Sequence, residues 1–296
     1  VSSSLFALSE EFANAIERAG RSVVSVNEGG RSGVSGTIWR EGLVVTAAHT
    51  IRGQQELTLE LPGSGSTKAS VVGRDPATDV ALLRMKDSGN ATAEFADAAK
   101  LRVGHFVLAV GRRPQQGLAA SHGMIGGLGG TWRMRGGGRI DRWLRLDLTP
   151  FSGFSGGPLV TADGKIIGIN TSGAQRSIVT ITGETVNRVV DQLLAKGKIP
   201  QGYLGVGLQP VSLPKATASG AGGGLLVVML EPGASAEKAG LMIGDIVIGF
   251  EDRPLTDLAD LRTVLDPEQV GKQVHLRVLR GGQTQDVSLT VAERPE

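Results

Sequence analysis

Between Arg21 and about Asn170 the chain is written as short apolar runs separated by glycine-rich punctuation, and that rhythm admits few folds. Val23–Val26, Thr37–Trp39, Leu43–Thr46, Leu57–Leu61, Val80–Arg84, Phe106–Val110, Trp143–Leu148 and Lys165–Asn170 each have the length and composition of a strand. None is long enough for a helix that buries one face, and no helical pattern alternates with them. A β-barrel or sandwich is therefore expected, not an alternating βαβ sheet. The 44 glycines and the 4% aromatic content suit tight turns and close backbone contacts.

Helical spacing appears at two places outside this rhythm. Leu5, Leu8, Phe12, Ala15, Ile16 and Ala19 repeat as one face of a leading helix. Val186–Lys196 repeats Val186, Val189, Val190, Leu193 and Leu194 in the same way, with Gly197 as a stop and Pro200 beyond it. A boundary is placed there, giving domains over 1–198 and 199–296. The second has strand patterns at Tyr203–Leu208, Leu225–Leu230, Ile246–Phe250, Val274–Arg280 and Gln285–Val291, with helical stretches near Ser235–Ala239 and Leu255–Leu265. That is a normal content for a module of roughly 90 residues.

Composition removes several function classes. The net charge of +2 carries no basic tail, so nucleic acid is not implied. Without cysteine there is no disulfide, thiol catalysis or thiolate metal site. Four scattered histidines and no H-E-x-x-H leave no metal cluster. No Walker loop surrounds Gly164-Lys165 and no G-x-G-x-x-G opens a helix, so neither a nucleotide nor any other cofactor is expected. No apolar run approaches the roughly 18 residues of a transmembrane helix, and no signal peptide is visible from Val1.

Three segments carry chemistry. Ser155 stands in Ser152-Gly153-Phe154-Ser155-Gly156-Gly157-Pro158-Leu159. Flanking glycines expose its hydroxyl on a tight turn and let the N–H groups of Gly153 and Ser155 converge as an oxyanion hole. A plain Gly/Ser turn would look the same, so this segment alone does not decide. It also fits the G-x-S-x-G elbow of α/β-hydrolases, but those run Ser, acid, His, and the only histidine after Ser155 is His275 in the second module. The base is then sought upstream. His49 ends an apolar strand, Leu43-Val44-Val45-Thr46-Ala47-Ala48-His49, among small neighbours that leave the imidazole room to turn. Asp79, in Asp75-Pro76-Ala77-Thr78-Asp79, directly precedes the apolar run Val80-Ala81-Leu82-Leu83. A carboxylate so placed can accept the Nδ1 proton and orient the ring. Asp75, His105, His122 and His275 are read as structural. The order His49, Asp79, Ser155 is that of chymotrypsin-fold proteases.

At these residues the chain resembles the HtrA/Deg family of trypsin-like serine proteases, over roughly Glu11 to Ala292. Thr46–His49, Thr78–Leu83 and Gly153–Leu159 match the family's three catalytic segments; Leu146-Asp147 and Gly164–Thr171 match flanking ones. Tyr203-Leu204-Gly205-Val206 is similar to the carboxylate-binding loop of a PDZ domain, and Pro232–Leu241 with Gly244–Val247 to its core. The resemblance implies a mainly β chain, a chymotrypsin-like double β-barrel followed by a PDZ domain with two helices. It implies a serine endopeptidase cutting unfolded or misfolded polypeptides, with C-terminal peptides held at Tyr203, Leu204, Gly205 and Val206 as an added strand. A homotrimer with the N-terminal helix at the contacts, and a bacterial cell-envelope or periplasmic setting, follow from the same likeness. The competing reading is a peptide-binding chaperone or scaffold with little proteolysis. Phe154 departs from the family's usual Asn, and Ser177–Thr182 from its more Gly- and Phe-bearing pocket strand. Gly126–Arg139 is expected as a Gly- and Arg-rich loop, and Thr149–Phe154 and Thr171–Ser177 as segments able to rest in an inactive arrangement.

Overall fold

The computed structural model describes the chain except for residues 1, 28–32, 52, 54, 64, 87–90, 115, 135–136, 150, 173–177, 215–221 and 296. It separates into two compact units, the first ending at Ile199 and the second running from Pro200 onward, with residues 137–138 counted in the second.

The first unit opens with helix α1 (Ser2–Gly20). Strands β1 (Val23–Asn27), β2 (Val34–Arg40), β3 (Leu43–Ala47), β4 (Glu56–Glu60), β5 (Ser66–Asp75) and β6 (Val80–Met85) close a barrel in the order β1-β2-β3-β6-β5-β4. Period-2 alternation explains why Val80–Leu83 is apolar on both faces: Ala81, Leu83 and, past the exposed Arg84, Met85 join Val24, Ile38, Leu57 and Leu59 in one core, while Val80 and Leu82 face another with Trp39 and Val45. The chain continues through β7 (Phe106–Arg113), β8 (Gly117–Gly129), the short pair β9 (Trp132–Arg133) and β10 (Arg139–Ile140), then β11 (Trp143–Leu148), β12 (Pro158–Thr161), β13 (Ile166–Ser172) and β14 (Ile178–Thr182). Its second sheet has the order β11-β8-β7-β12-β13-β14 and curls until β11 and β14 approach each other.

Helix α2 (Gly183–Lys196) buries Val186, Val189, Val190 and Leu193 completely, whereas Leu194, expected on that face, is 38% exposed at its margin. Gly197 ends the helix at φ +70°, its N–H bonded to Leu193 O, a conformation that favours glycine. Helix α1 is embedded only from Phe12 onward. Ala15 and Ala19 are buried and Phe12 and Ile16 pack on the core, but Leu5, Phe6 and Leu8 stand in solvent.

Part of the expected Gly126–Arg139 loop is strand. Gly126–Gly129 belongs to β8, which pairs with β7 on one side and β11 on the other, and β9 pairs with β10; residues 135–136 lie outside the described residues. The glycines serve close approach: a Cβ at Gly123 would lie 2.0 Å from Asp147 O, and one at Gly129 3.0 Å from the Trp143 ring.

The second unit holds β15 (Gly202–Tyr203) paired with β22 (Ala292–Glu293), and a sheet ordered β16 (Val206–Ser212), β17 (Gly223–Leu230), β18 (Ile246–Phe250), β20 (Gln273–Arg280), β21 (Gln283–Thr290), with β19 (Arg253–Pro254) beside β18. Helices α3 (Ser235–Lys238) and α4 (Leu258–Val264) complete it, α4 lying against edge strand β16. Asp257 caps α4, accepting from Ala259 N and Asp260 N. Leu225, Val227, Phe250, Leu276, Val278 and Leu289 form a core of its own.

Candidate active site

Pairing of β3 with β6 brings the first two residues together. Ala47 faces Val80, so the residues just beyond, Ala48-His49 and Asp79, meet, and Ala48 N–H donates to Asp79 O at 3.0 Å. His49 sits in a short 3-10 turn, Ala48–Thr50. Asp79 adopts φ +60°, a left-handed conformation that aspartate tolerates better than most residues. There its carboxylate takes His49 N–H on Oδ1 at 2.7 Å and His49 Nδ1–H on Oδ2 at 2.7 Å, and the Thr171 hydroxyl also donates to Oδ2. Burial pushes the Asp79 carboxyl up, but the His49 ring, the Thr171 hydroxyl and the His49 N–H outweigh it and hold it below the ordinary value. An ionised Asp79 leaves the proton on Nδ1 and turns Nε2, as acceptor, toward the cleft.

Ser155 is delivered from the other sheet by two consecutive turns. Phe154 N–H donates to Phe151 O and Gly157 N–H to Phe154 O; the third residues, Gly153 and Gly156, have φ +97° and +83°, which a type II turn requires. Gly156 has a second reason to be glycine, since its Cβ would fall 2.1 Å from Ser35 O. Among the described residues no acceptor takes the N–H of Gly153 or of Ser155, which leaves both free for a ligand oxyanion.

Two residues fix this loop: Ser35, which has no signature in the sequence, and Phe154. Ser35, fully buried on β2, donates Oγ–H to Gly153 O at 2.7 Å, accepts Arg112 N–H at 2.9 Å, and donates its own N–H to Ser155 O at 3.1 Å. Phe154 fills the core beside Leu101, Val107 and Leu159; a side chain at Gly111 would collide with its ring at 2.5 Å. An apolar anchor thus stands where the resemblance leads one to expect Asn.

Strand β13 joins the two halves of the site. Gly156 N–H donates to Asn170 O and Asn170 N–H to Gly157 O, both at 2.8 Å; Thr171 donates to Asp79; and Ser172 Oγ lies 3.4 Å from Ser155 Oγ. That contact is the one hydrogen bond of the Ser155 hydroxyl among the described residues, and none links it to His49 in this state. Residues 150 and 173–177, parts of the two expected movable segments, and Ser177 of the pocket strand lie outside the described residues.

The remaining histidines are engaged elsewhere. His105 Nε2 accepts from Arg102, His275 pairs with Glu251, and His122 stands opposite Leu108 within β8. Asp75 is buried and accepts from Ala77 N–H and the Thr78 hydroxyl; burial raises its carboxyl despite these bonds. Among the described residues no group of three or more His, Asp or Glu has the arrangement of a metal site.

In the second unit the carbonyls of Leu204 and Gly205 accept from Ala236 and Glu231, and no described residue takes the N–H groups of Leu204 or Gly205. Gly205 has φ +75°, and Tyr203 donates its hydroxyl to Glu231. The free edge of β16 continues from this loop alongside α4.

These two sites define the class, a trypsin-like peptidase domain followed by a PDZ domain. The family model of the trypsin-like peptidase domain matches residues 34–169 and that of the PDZ domain residues 202–291. The chain belongs to the HtrA/Deg family. Among curated relatives, "Probable periplasmic serine protease do/HhoA-like" of Haemophilus influenzae is 34% identical over 258 residues, covering 84% of this chain and 55% of that protein. "Probable periplasmic serine endoprotease DegP-like" of Rhizobium meliloti is 33% identical over 267 residues, covering 87% and 52%. The chain thus spans about half the length of these relatives. Among solved structures, the HtrA-type protease AlgW with a tripeptide superposes with a TM-score of 0.73 at 26% identity, covering 96% of this chain and 98% of that one. A serine endoprotease from Yersinia pestis, at 24% identity and a TM-score of 0.72, covers 96% and 98% and shares the fold.

Proposed function

We propose that the chain is a serine endopeptidase that cuts unfolded or misfolded polypeptides through an acyl-enzyme. The observation that carries this reading is the grip of Asp79 on both His49 N–H groups, at 2.7 Å each, beside a strand that also reaches Ser155. Ser155 Oγ leaves Ser172, passes its proton to His49 Nε2 and attacks the scissile carbonyl. The N–H groups of Gly153 and Ser155 receive the oxyanion. His49 then gives the proton to the leaving amine, and water repeats the sequence to release the acyl group. Asp79 stays ionised and stabilises the imidazolium.

The PDZ unit captures C-terminal peptides, with the N–H groups of Leu204, Gly205 and Val206 as a nest for the carboxylate beside Tyr203. The peptide then extends the β16 edge next to α4. Exposed Leu5, Phe6 and Leu8 on α1 support assembly through the N-terminal segment, and the resemblance to the HtrA/Deg family makes that assembly a homotrimer. The names of the relatives support a periplasmic setting, and the role in protein quality control rests on the resemblance to the HtrA/Deg family.

A second reading, a peptide-binding chaperone or scaffold with little proteolysis, is favoured by one observation: the Ser155 hydroxyl bonds Ser172 and not His49. Casein digestion by the wild-type chain beside Ser155→Ala separates the two. The endopeptidase reading expects cutting by the wild type alone. Equal digestion by both removes Ser155 as nucleophile, and peptide binding without digestion by either supports the scaffold.

A further inference from the structure

Strand β7 ends in two arginines that behave oppositely. Arg112 turns inward: its Nε donates to Val23 O at 2.6 Å and its Nη2 to Gly20 O at 3.0 Å, while its N–H is held by Ser35. Arg113 therefore emerges on the other face, as strand alternation dictates. Its side chain lies along Gly153: a methyl placed on that glycine would sit 3.0 Å from Cγ, 3.2 Å from Cδ and 3.4 Å from Nε. Pro114, next in the chain, packs so tightly on Gly33 that a Cβ there would lie 2.4 Å from its ring, which pins the strand end. Among the described residues Arg113 forms no ion pair and no side-chain hydrogen bond. The strand end is thus pinned, and an unpaired arginine side chain lies along the proposed oxyanion turn.

We infer that Arg113 is a specificity-determining residue that favours substrates with an acidic side chain next to the scissile bond. The inference rests on the peptidase reading. A scissile carbonyl bound at Gly153 and Ser155 places an extended substrate across this turn, where residues one or two positions away are about 3–7 Å along the strand. A carboxylate there comes within reach of the guanidinium fork, the geometry that arginine pairs with best. With no Cβ at position 153, the aliphatic stem of Arg113 lies against the turn without crowding.

The test uses internally quenched peptides built around one bond that the full chain cuts in casein, with Glu or Gln at each of the two positions on either side. At low salt the wild type is expected to show a Glu-to-Gln ratio of kcat/KM of about threefold to tenfold at one of these positions, the scale of a partly exposed charge pair. That ratio shrinks at high ionic strength. Arg113→Gln brings it to unity, Arg113→Lys keeps part of it, and Arg113→Glu turns the preference toward Lys-bearing peptides. Each variant's ratio is its own control for folding and for overall activity. A wild-type ratio of one at all four positions, or a ratio unchanged in Arg113→Gln, overturns the inference and leaves the peptidase reading standing. Failure of the wild type to cut casein at all removes the peptidase reading, and this inference with it.

Discussion

Thr171 and His49 share one oxygen of Asp79: both donate to Oδ2, while Oδ1 takes the His49 backbone N–H. Three donors around one carboxylate keep it ionised against burial and leave the imidazole a single orientation. They also explain why Asp79 tolerates a left-handed backbone, which costs on the order of 1–3 kcal/mol for a non-glycine residue and persists only where the surroundings over-determine it.

Asp79→Asn keeps the shape but puts a donor amide where Nδ1 needs an acceptor. The expected result is a fall in kcat on the order of ten-thousandfold on casein-derived peptides, with KM little changed. A fall below tenfold would mean that the carboxylate does not set the tautomer of His49.

Ser35→Ala removes the hydroxyl that holds Gly153 O and Arg112 N–H and leaves two part-buried groups without this partner. Loosening the turn is expected to lower kcat about tenfold to a hundredfold. Binding of a fluorescein-labelled C-terminal peptide at the PDZ unit, read by anisotropy, should not change.

Ser172→Ala frees the nucleophile from its partner in this state. Because the 3.4 Å contact is long, the expected gain is small, about twofold in the rate of labelling by a fluorophosphonate probe. A slower rate would instead make Ser172 a helper of Ser155.

Gly205→Ala tests the PDZ loop. The new methyl would lie 2.1 Å from the Ala234 Cβ at a backbone φ of +75°, so the turn must move. Loss of C-terminal peptide affinity by tenfold or more is expected by anisotropy, with casein cutting retained.

Asp245 gives a pH signature. It accepts from Arg280 through both oxygens at 2.7 Å, and these bonds hold its carboxyl below the ordinary value against the upward push of burial. A carboxyl lowered in the folded state contributes stability that is present above its unfolded value and lost as pH falls through the folded one. Calorimetry of the full chain should therefore show Asp245→Asn melting below the wild type at pH 7, with the gap closing below about pH 4.

What was legible in the sequence was what lies in short contiguous segments. Thr46–His49, Thr78–Leu83 and Gly153–Leu159 each carry their chemistry locally, and the apolar repeat of α2 with Gly197 fixes a helix end by itself. Ser35 was not legible because its partner Gly153 is 118 residues away and a lone serine in a strand has no signature. Strand β8 was hidden for another reason. Gly117–Gly129 is mostly glycine, alanine and serine, with little β preference, and it is strand because β7 and β11 pair with it on both sides. In α1 the periodicity gave the helix but not how far it is covered, since Leu5 and Leu8 repeat in phase with Ala15 yet reach beyond the core.

The most direct measurement of the central claim is the site of a fluorophosphonate adduct. The wild-type chain, treated with the probe and mapped by mass spectrometry, should carry one adduct on Ser155, and His49→Ala should carry almost none. An adduct at another serine, or labelling of Ser155 that does not depend on His49, would contradict the account.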